Sequence, residues 1–100
     1  MTLHPKKLVV ILCEAVLEAM LVADSERLGA HGYTVTDARG GGRRGVRGAT
    51  WDADRSIRME IICDEPTALA IAKHVHERYF EHYAMTLFTA DIGVLRPEKF

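Results

Sequence analysis

Gly32–Arg58, GYTVTDARGGGRRGVRGATWDADRSIR, gives the first foothold in this chain. Tyr33-Thr34-Val35-Thr36 reads as a short strand, rich in aromatic and β-branched residues. It breaks into Gly40-Gly41-Gly42, followed by Arg43, Arg44, Gly45, Val46, Arg47 and Gly48. Five of the eight glycines and six of the thirteen basic residues fall between positions 39 and 58, and all six are arginine. A tight hairpin needs only one or two turn residues. This stretch therefore reads as a long loop, and such a loop in so small a domain is usually functional or disordered.

Glycine lets a backbone come close to a ligand. Successive N–H groups in such turns make anion-binding concavities. Arginine adds a planar, permanent charge that grips phosphate in bidentate fashion. Together they point to phosphate or another oxyanion. The bland possibility is a solvated surface loop, because Gly-Arg clustering is a compositional signal only.

Upstream, Leu8-Val9-Val10-Ile11-Leu12 is a continuous apolar run, as in a buried central strand. From Glu14 to Leu28 the spacing becomes helical. Two apolar faces compete there: Leu17, Met20, Leu21 and Leu28, interrupted by Asp24, and Val16, Ala19, Met20 and Ala23, interrupted by Arg27. Met20 belongs to both, so the buried stripe is expected near it. Gly29 and Gly32 mark the helix end.

Downstream, Ile57 to Cys63 alternates, with Ile57, Met59 and Ile61 on one face and Arg58, Glu60 and Ile62 on the other. Asp64-Glu65-Pro66-Thr67 reads as a helix start. The second helix is expected from Pro66 to Tyr83, burying Ala68, Leu69, Ala72, Val75, Tyr79, Phe80 and Tyr83. Met85 to Ala90 is a fourth strand, with Ile92 to Leu95 extending it or forming another. Residues 96–100 form a tail.

The order is β-α-β-(long loop)-β-α-β, the α+β ferredoxin-like arrangement, in a single domain spanning residues 1–100. Right-handed crossovers put the first and third strands in the middle and both helices on one face. The other, uncovered face invites oligomerisation.

The 100 residues carry a net charge of −1, so no global basic field draws the chain to nucleic acid. No signal peptide or membrane span is apparent, and a cytoplasmic location is expected. Cys13 and Cys63 suit a reduced compartment, and a bridge between them requires neighbouring strands. The histidines His4, His31, His74, His76 and His82 lack metal-site spacing, so no metal is expected. Asp52 and Asp54 beside Arg55 read as surface charge. Glu60 is either a paired sheet carboxylate, the favoured option, or a ligand contact. Trp51 is either a partner contact or folded back on the loop base. No nucleophile–base pair stands out, which argues against an enzyme.

The phrase GYTVTDARGGGRRG, joining strand two to a long loop in this element order, resembles the PII signalling superfamily. The likeness runs from KKLVVIL to GVLR. It is nearest to the PII-like branch associated with bicarbonate transport and carboxysomes, whose loop pattern Gly-x-Gly-x-Arg-x-x-Arg is met here by Gly40, Gly42, Arg44 and Arg47. The segment YFEHYAMTLFTADIGVL is similar to the same branch.

The resemblance implies a homotrimer with adenine nucleotides in clefts between subunits. The loop, about residues 39–57, would be the T-loop, which responds to ligand and touches a partner protein. By position, Gly40, Gly41 and Gly42 would approach the phosphates, and Arg44 and Arg47 would bind phosphate or a second anion. Tyr33, Thr34, Ile62, Met85, Thr86 and Leu87 would line the nucleoside pocket, and Arg96 would reach phosphate across the interface.

The departures from the family pattern shape the expectation. No tyrosine lies in the loop, so uridylylation has no acceptor there. The glutamine for Mg-ATP and 2-oxoglutarate is missing, with Arg44 near its place. His82-Tyr83-Ala84-Met85 replaces the lysine-bearing loop before strand four. ADP or AMP, with ATP weaker, is therefore expected, with no catalytic cofactor. Bicarbonate is a candidate second ligand, and a bicarbonate transporter or carboxysome component a candidate partner. The competing class is a nucleic-acid-binding module built on the Gly-Arg loop; near-neutral charge and the lack of an aromatic platform argue against it.

Overall fold

The computed structural model describes residues 1–42, 45–47 and 55–100. Strand β1 (His4–Glu14) extends well beyond the apolar run that announces it. A 3-10 turn (Ala15–Leu17) leads into helix α1 (Glu18–Arg27). Strand β2 (Thr34–Ala38) enters the glycine-rich stretch, which holds the short strands β3 (Gly40–Gly42) and β4 (Gly45–Arg47). Strand β5 (Ser56–Cys63) leaves it. Helix α2 (Glu65–Arg78) and strand β6 (Thr86–Val94) follow, then a 3-10 turn (Pro97–Lys99).

The main sheet has the order β2-β5-β1-β6, and each neighbouring pair is antiparallel. The first strand and the strand after the loop occupy the centre, as crossover handedness requires. The glycine-rich stretch is not all loop. Strands β3 and β4 pair antiparallel, with Gly42 opposite Gly45 and Gly40 opposite Arg47. This corrects the expectation that no hairpin is written there. Glycines lack side chains to signal pairing, so strand alternation is invisible in the sequence.

The core lies between one sheet face and the helices. Val9, Ile11 and Cys13 of β1 and Ile57, Met59, Ile61 and Cys63 of β5 pack with Leu17, Leu21, Ala68, Ile71, Val75 and Tyr79. Burying each large aliphatic side chain contributes about 1.5–3 kcal/mol against leaving it in water. Met20 is not at the centre of the stripe; it is 52% exposed. Leu17, Leu21 and Ser25 carry the buried row, at steps of four, and the Ser25 hydroxyl donates to Val22 O at 2.9 Å. In α2, Leu69 is exposed and Ile71 is buried, and the helix stops at Arg78 instead of Tyr83, with Phe80 exposed beyond its end. The His82 and Tyr83 N–H groups both donate to Tyr79 O, which closes the chain into a turn.

Asp24, which interrupts the apolar stripe of α1, joins the two helices. It accepts a hydrogen bond from the Tyr79 hydroxyl, lies 3.0 Å from His74 Nε2, and is approached by Arg27 at 3.5 Å. Burial pushes the Asp24 carboxyl up, but the hydrogen bonds from Tyr79 and His74 outweigh it and hold the group below the usual carboxylate range.

The end of α1 is closed by Gly29 at φ 112°. The Gly29 N–H donates to Glu26 O and the Ala30 N–H to Ser25 O, the paired bonds of a Schellman cap. Cys13 stands opposite Ile57 and Cys63 opposite Lys7, at opposite ends of the β1–β5 ladder. At about 3.4 Å per residue that is roughly 20 Å, far beyond disulfide reach.

The second sheet face has no helix over it. Register places Leu8, Val10 and Leu12 of β1, Arg58, Glu60 and Ile62 of β5, and Thr86, Phe88 and Ala90 of β6 on that face. Phe88 is 42% exposed there.

Candidate functional site

The start of β2 and the end of β5 meet at one corner of the open face. Thr34 pairs with Glu60, and the chain before β2 carries His31, Gly32 and Tyr33 past Ile62. These residues, with Lys99 and Phe100, line a cavity of about 280 Å³. Three of the residues expected to form a nucleoside pocket, Tyr33, Thr34 and Ile62, are thus brought together. Tyr33 is 45% exposed, so its ring is available to a flat ligand.

Glu60 supplies a carboxylate to the wall. Arg58 Nε donates to Glu60 Oε2 at 2.8 Å, and the Arg58 guanidinium carbon lies 5.9 Å from the centre of the Phe88 ring. The two open options for Glu60 therefore merge: it is a paired sheet carboxylate and also lines the cavity. The arginine neutralises it and is steadied by the ring, a cation–π contact worth about 0.5–1 kcal/mol at a solvated site.

Met85, Thr86 and Leu87 are not in this cavity. Thr86 and Leu87 begin β6, which lies across the sheet from β2 with β5 and β1 between. Met85 and Leu87 pack against the hydrophobic core, and Thr86 stands opposite Leu12 on the open face. Three strand spacings of about 4.8 Å put the two edges roughly 14 Å apart. Arg96 is exposed at the start of the last 3-10 turn and does not line the cavity. Gly40, Gly41 and Gly42 sit in the small hairpin, and a Cβ at Gly40 would meet nothing within 4 Å. Arg47 is placed by its backbone, opposite Gly40. Arg44 and Trp51 lie outside the described residues, as do Asp52 and Asp54.

Sequence reasoning passed over His31, Lys99 and Phe100 as site residues. The one local signal was His31 beside Gly32. Lys99 and Phe100 reach the cavity because the chain after β6 crosses the sheet end, which no local pattern encodes.

A second cavity, of about 270 Å³, lies between Pro5, Lys6, Lys7, Asp64, Glu65 and Asp91. Its lysines are already engaged: Lys6 Nζ donates to Asp64 at 2.7 Å and Lys7 Nζ to Asp91. That second hydrogen bond raises the Lys7 ammonium above its usual range. Among the described residues, no group of three His, Cys, Asp or Glu side chains is arranged for a metal ion, and no helix is long and apolar enough to cross a membrane.

Comparison with known proteins places the geometry among relatives. Residues 6–99 match the family described as nitrogen regulatory protein P-II. A Thermus thermophilus protein named as a PII-like signaling protein is 46% identical, covering 100% of this chain and 99% of its own, with a TM-score of 0.87. CPII from Thiomonas intermedia was solved bound to ADP and bicarbonate; it is 26% identical, covers 99% of this chain and 97% of its own, and has a TM-score of 0.87. A second CPII structure, bound to ADP, AMP and bicarbonate, is 25% identical over 99% of this chain and 96% of its own, again with a TM-score of 0.87.

Proposed function

The chain belongs to the nitrogen regulatory protein P-II family, and on that footing we propose that it is a regulatory sensor of adenine nucleotide. ADP or AMP is the ligand, ATP binds more weakly, and bicarbonate is the second ligand. The protein signals through its T-loop and is not an enzyme. The observation that carries this proposal is the meeting of Tyr33, Thr34 and Ile62 in one cavity beside a neutralised carboxylate. CPII, which binds ADP, AMP and bicarbonate, shares the fold along almost the whole chain.

In this account the nucleoside sits against Tyr33, Thr34 and Ile62. Gly40, Gly41 and Gly42 offer backbone N–H groups to the phosphates, and Arg44 and Arg47 supply charge. Met85, Thr86, Leu87 and Arg96 come from a second copy. Within one chain β5 and β1 stand between β2 and β6, and none of these four residues lines the cavity, which argues for this. The sheet face without a helix, where Phe88 is 42% exposed and Leu8 and Leu12 are only partly buried, gives the copies a reason to associate as a homotrimer. A ligand that binds one loop ensemble more tightly than another shifts the population, and mutual repulsion of the loop arginines, relieved by an anion, supplies the difference. The output is control of inorganic-carbon uptake or fixation in the cytoplasm, through a bicarbonate transporter or a carboxysome component contacted by Trp51.

Thermal unfolding with ADP, AMP, ATP, adenosine and a short RNA tests the proposal. ADP and AMP raise the midpoint, because a ligand of the native state alone stabilises it by mass action. A rise with RNA that salt abolishes, and none with nucleotide, replaces the sensor with a nucleic-acid-binding module.

A further inference from the structure

Helix α1 is written with two apolar faces, and the core uses one of them. Leu17, Leu21 and Ser25 are buried. Val16 in the 3-10 turn and Ala19, Met20 and Ala23 in α1 recur at steps of three and four on the other face, and all four are exposed. Val16 is 73% exposed. Single surface hydrophobics need no explanation, but a contiguous apolar row marks a contact surface. This row belongs to the helical layer, on the opposite side of the molecule from the open sheet face. Copies that associate through that sheet face leave it outward.

The row is complementary to itself. Large and small side chains alternate along it. Turned end over end about a point between Ala19 and Met20, it sets Val16 against Ala23 and Met20 against Ala19. Each large side chain then meets a small one, which lets two helices interdigitate closely.

The charges follow the same symmetry. Glu14 and Glu18 stand at the start of the row and Arg27 at its end. Glu14 precedes the 3-10 turn without a side-chain hydrogen bond capping it. Asp24 approaches Arg27 only at 3.5 Å, and the arginine side chain is 57% exposed. An antiparallel arrangement brings each Arg27 toward the acidic end of the other copy and sets the two helix dipoles in opposition.

We infer that a second copy of this chain docks on α1, antiparallel to it, about a two-fold axis between Ala19 and Met20. The contact is separate from association through the sheet face and pairs chains of different assemblies. A row roughly 10 Å long covers less than the about 800 Å² per partner of a stable interface, so the pairing is reversible and depends on concentration.

The test is sedimentation velocity of the unaltered chain and its variants across a wide range of concentration. The unaltered chain gains mass with concentration. Met20→Glu weakens this self-association about tenfold and leaves the assembly present at dilution and the unfolding midpoint unchanged, because the side chain replaced is exposed. Arg27→Glu weakens it about threefold, and adding Glu14→Arg restores it. An unaltered chain whose mass is independent of concentration overturns the inference. A gain that Met20→Glu leaves intact also overturns it, because the contact then lies elsewhere. Failure of Glu14→Arg to rescue Arg27→Glu rules out the antiparallel pairing. None of these outcomes bears on nucleotide binding, so this inference and the sensor proposal fail independently.

Discussion

Arg58 Nε lies 2.8 Å from Glu60 Oε2, so the carboxylate in the cavity wall receives its counter-ion from two residues back along the same strand. Residues two apart on a strand share a face, which makes this pairing local, with the Phe88 ring of β6 beside the guanidinium. The pair is roughly 40% exposed, with side-chain values of 38% and 41%, so it adds little to stability. Its consequence is electrostatic: without Arg58, the cavity would present an uncompensated negative charge to an anionic ligand.

Arg58→Met therefore weakens ADP by about threefold and changes unfolding free energy by less than about 1 kcal/mol. Arg58→Met combined with Glu60→Gln recovers most of the affinity. Calorimetry for ADP and urea unfolding for stability check both parts. A single variant with unchanged ADP affinity contradicts the proposed role of the pair.

Gly29→Ala destabilises the chain by about 1–2 kcal/mol, because φ 112° is strained for any L side chain. The new Cβ would also lie 3.2 Å from Thr67 Oγ1. Chemical unfolding reads the loss. Gly32→Ala, whose Cβ would meet nothing within 4 Å, is the control and stays close to the parent.

The Asp24 carboxyl is held below its ordinary range in the folded chain, so its contribution to stability has a defined sign with pH. It is fully present above the ordinary carboxylate pKa, near 4, and is lost as pH falls through the depressed folded value. Asp24→Asn costs about 1–2 kcal/mol at pH 7, and its stability falls less steeply than the parent's below pH 4. Tyr79→Phe, which removes the hydroxyl donating to Asp24, reduces the acid sensitivity in the same direction. Unfolding curves between pH 2.5 and 7 make the comparison; parallel profiles for parent and Asp24→Asn would refute the assignment.

Cys13 and Cys63 stay as thiols, because the ladder sets them at opposite ends. Burial raises the Cys63 thiol above its usual range, which keeps the reactive thiolate scarce. Reductant leaves the unfolding midpoint unchanged. A thiol reagent modifies the native chain slowly and both cysteines rapidly after denaturation. A midpoint that falls with reductant would indicate a bridge that this fold forbids.

Much of the fold was legible. The apolar run Leu8–Leu12 and the alternation of Ile57, Met59 and Ile61 identify the two central strands, since burial on one or both faces writes itself directly into residue type. Handedness then fixes the order of the sheet. The helix details were less legible. Met20 fits two apolar faces, and only packing of Leu17 and Leu21 against β1 and β5 chooses between them. Asp24 looked like a defect in the stripe because its partners, Tyr79 and His74, lie some fifty residues away. The Gly40–Gly42 ladder left no alternation to see.

The candidate site divides along the same line. Tyr33, Thr34 and Ile62 were expected from the family likeness and share one cavity, and Glu60 could be left as either of two things. Lys99 was out of reach, because its place depends on the tail crossing the sheet after β6. Met85, Thr86, Leu87 and Arg96 do not line the cavity, because β6 is the sheet edge farthest from β2, an arrangement of strands that local pattern does not encode.

The most direct measurement is calorimetric titration of the purified chain with ADP, with and without bicarbonate. The account predicts about one ADP per chain and a tighter complex when bicarbonate is present, with bicarbonate binding strengthened equally by ADP, as linkage requires. No heat and no saturation with ADP under either condition would contradict it.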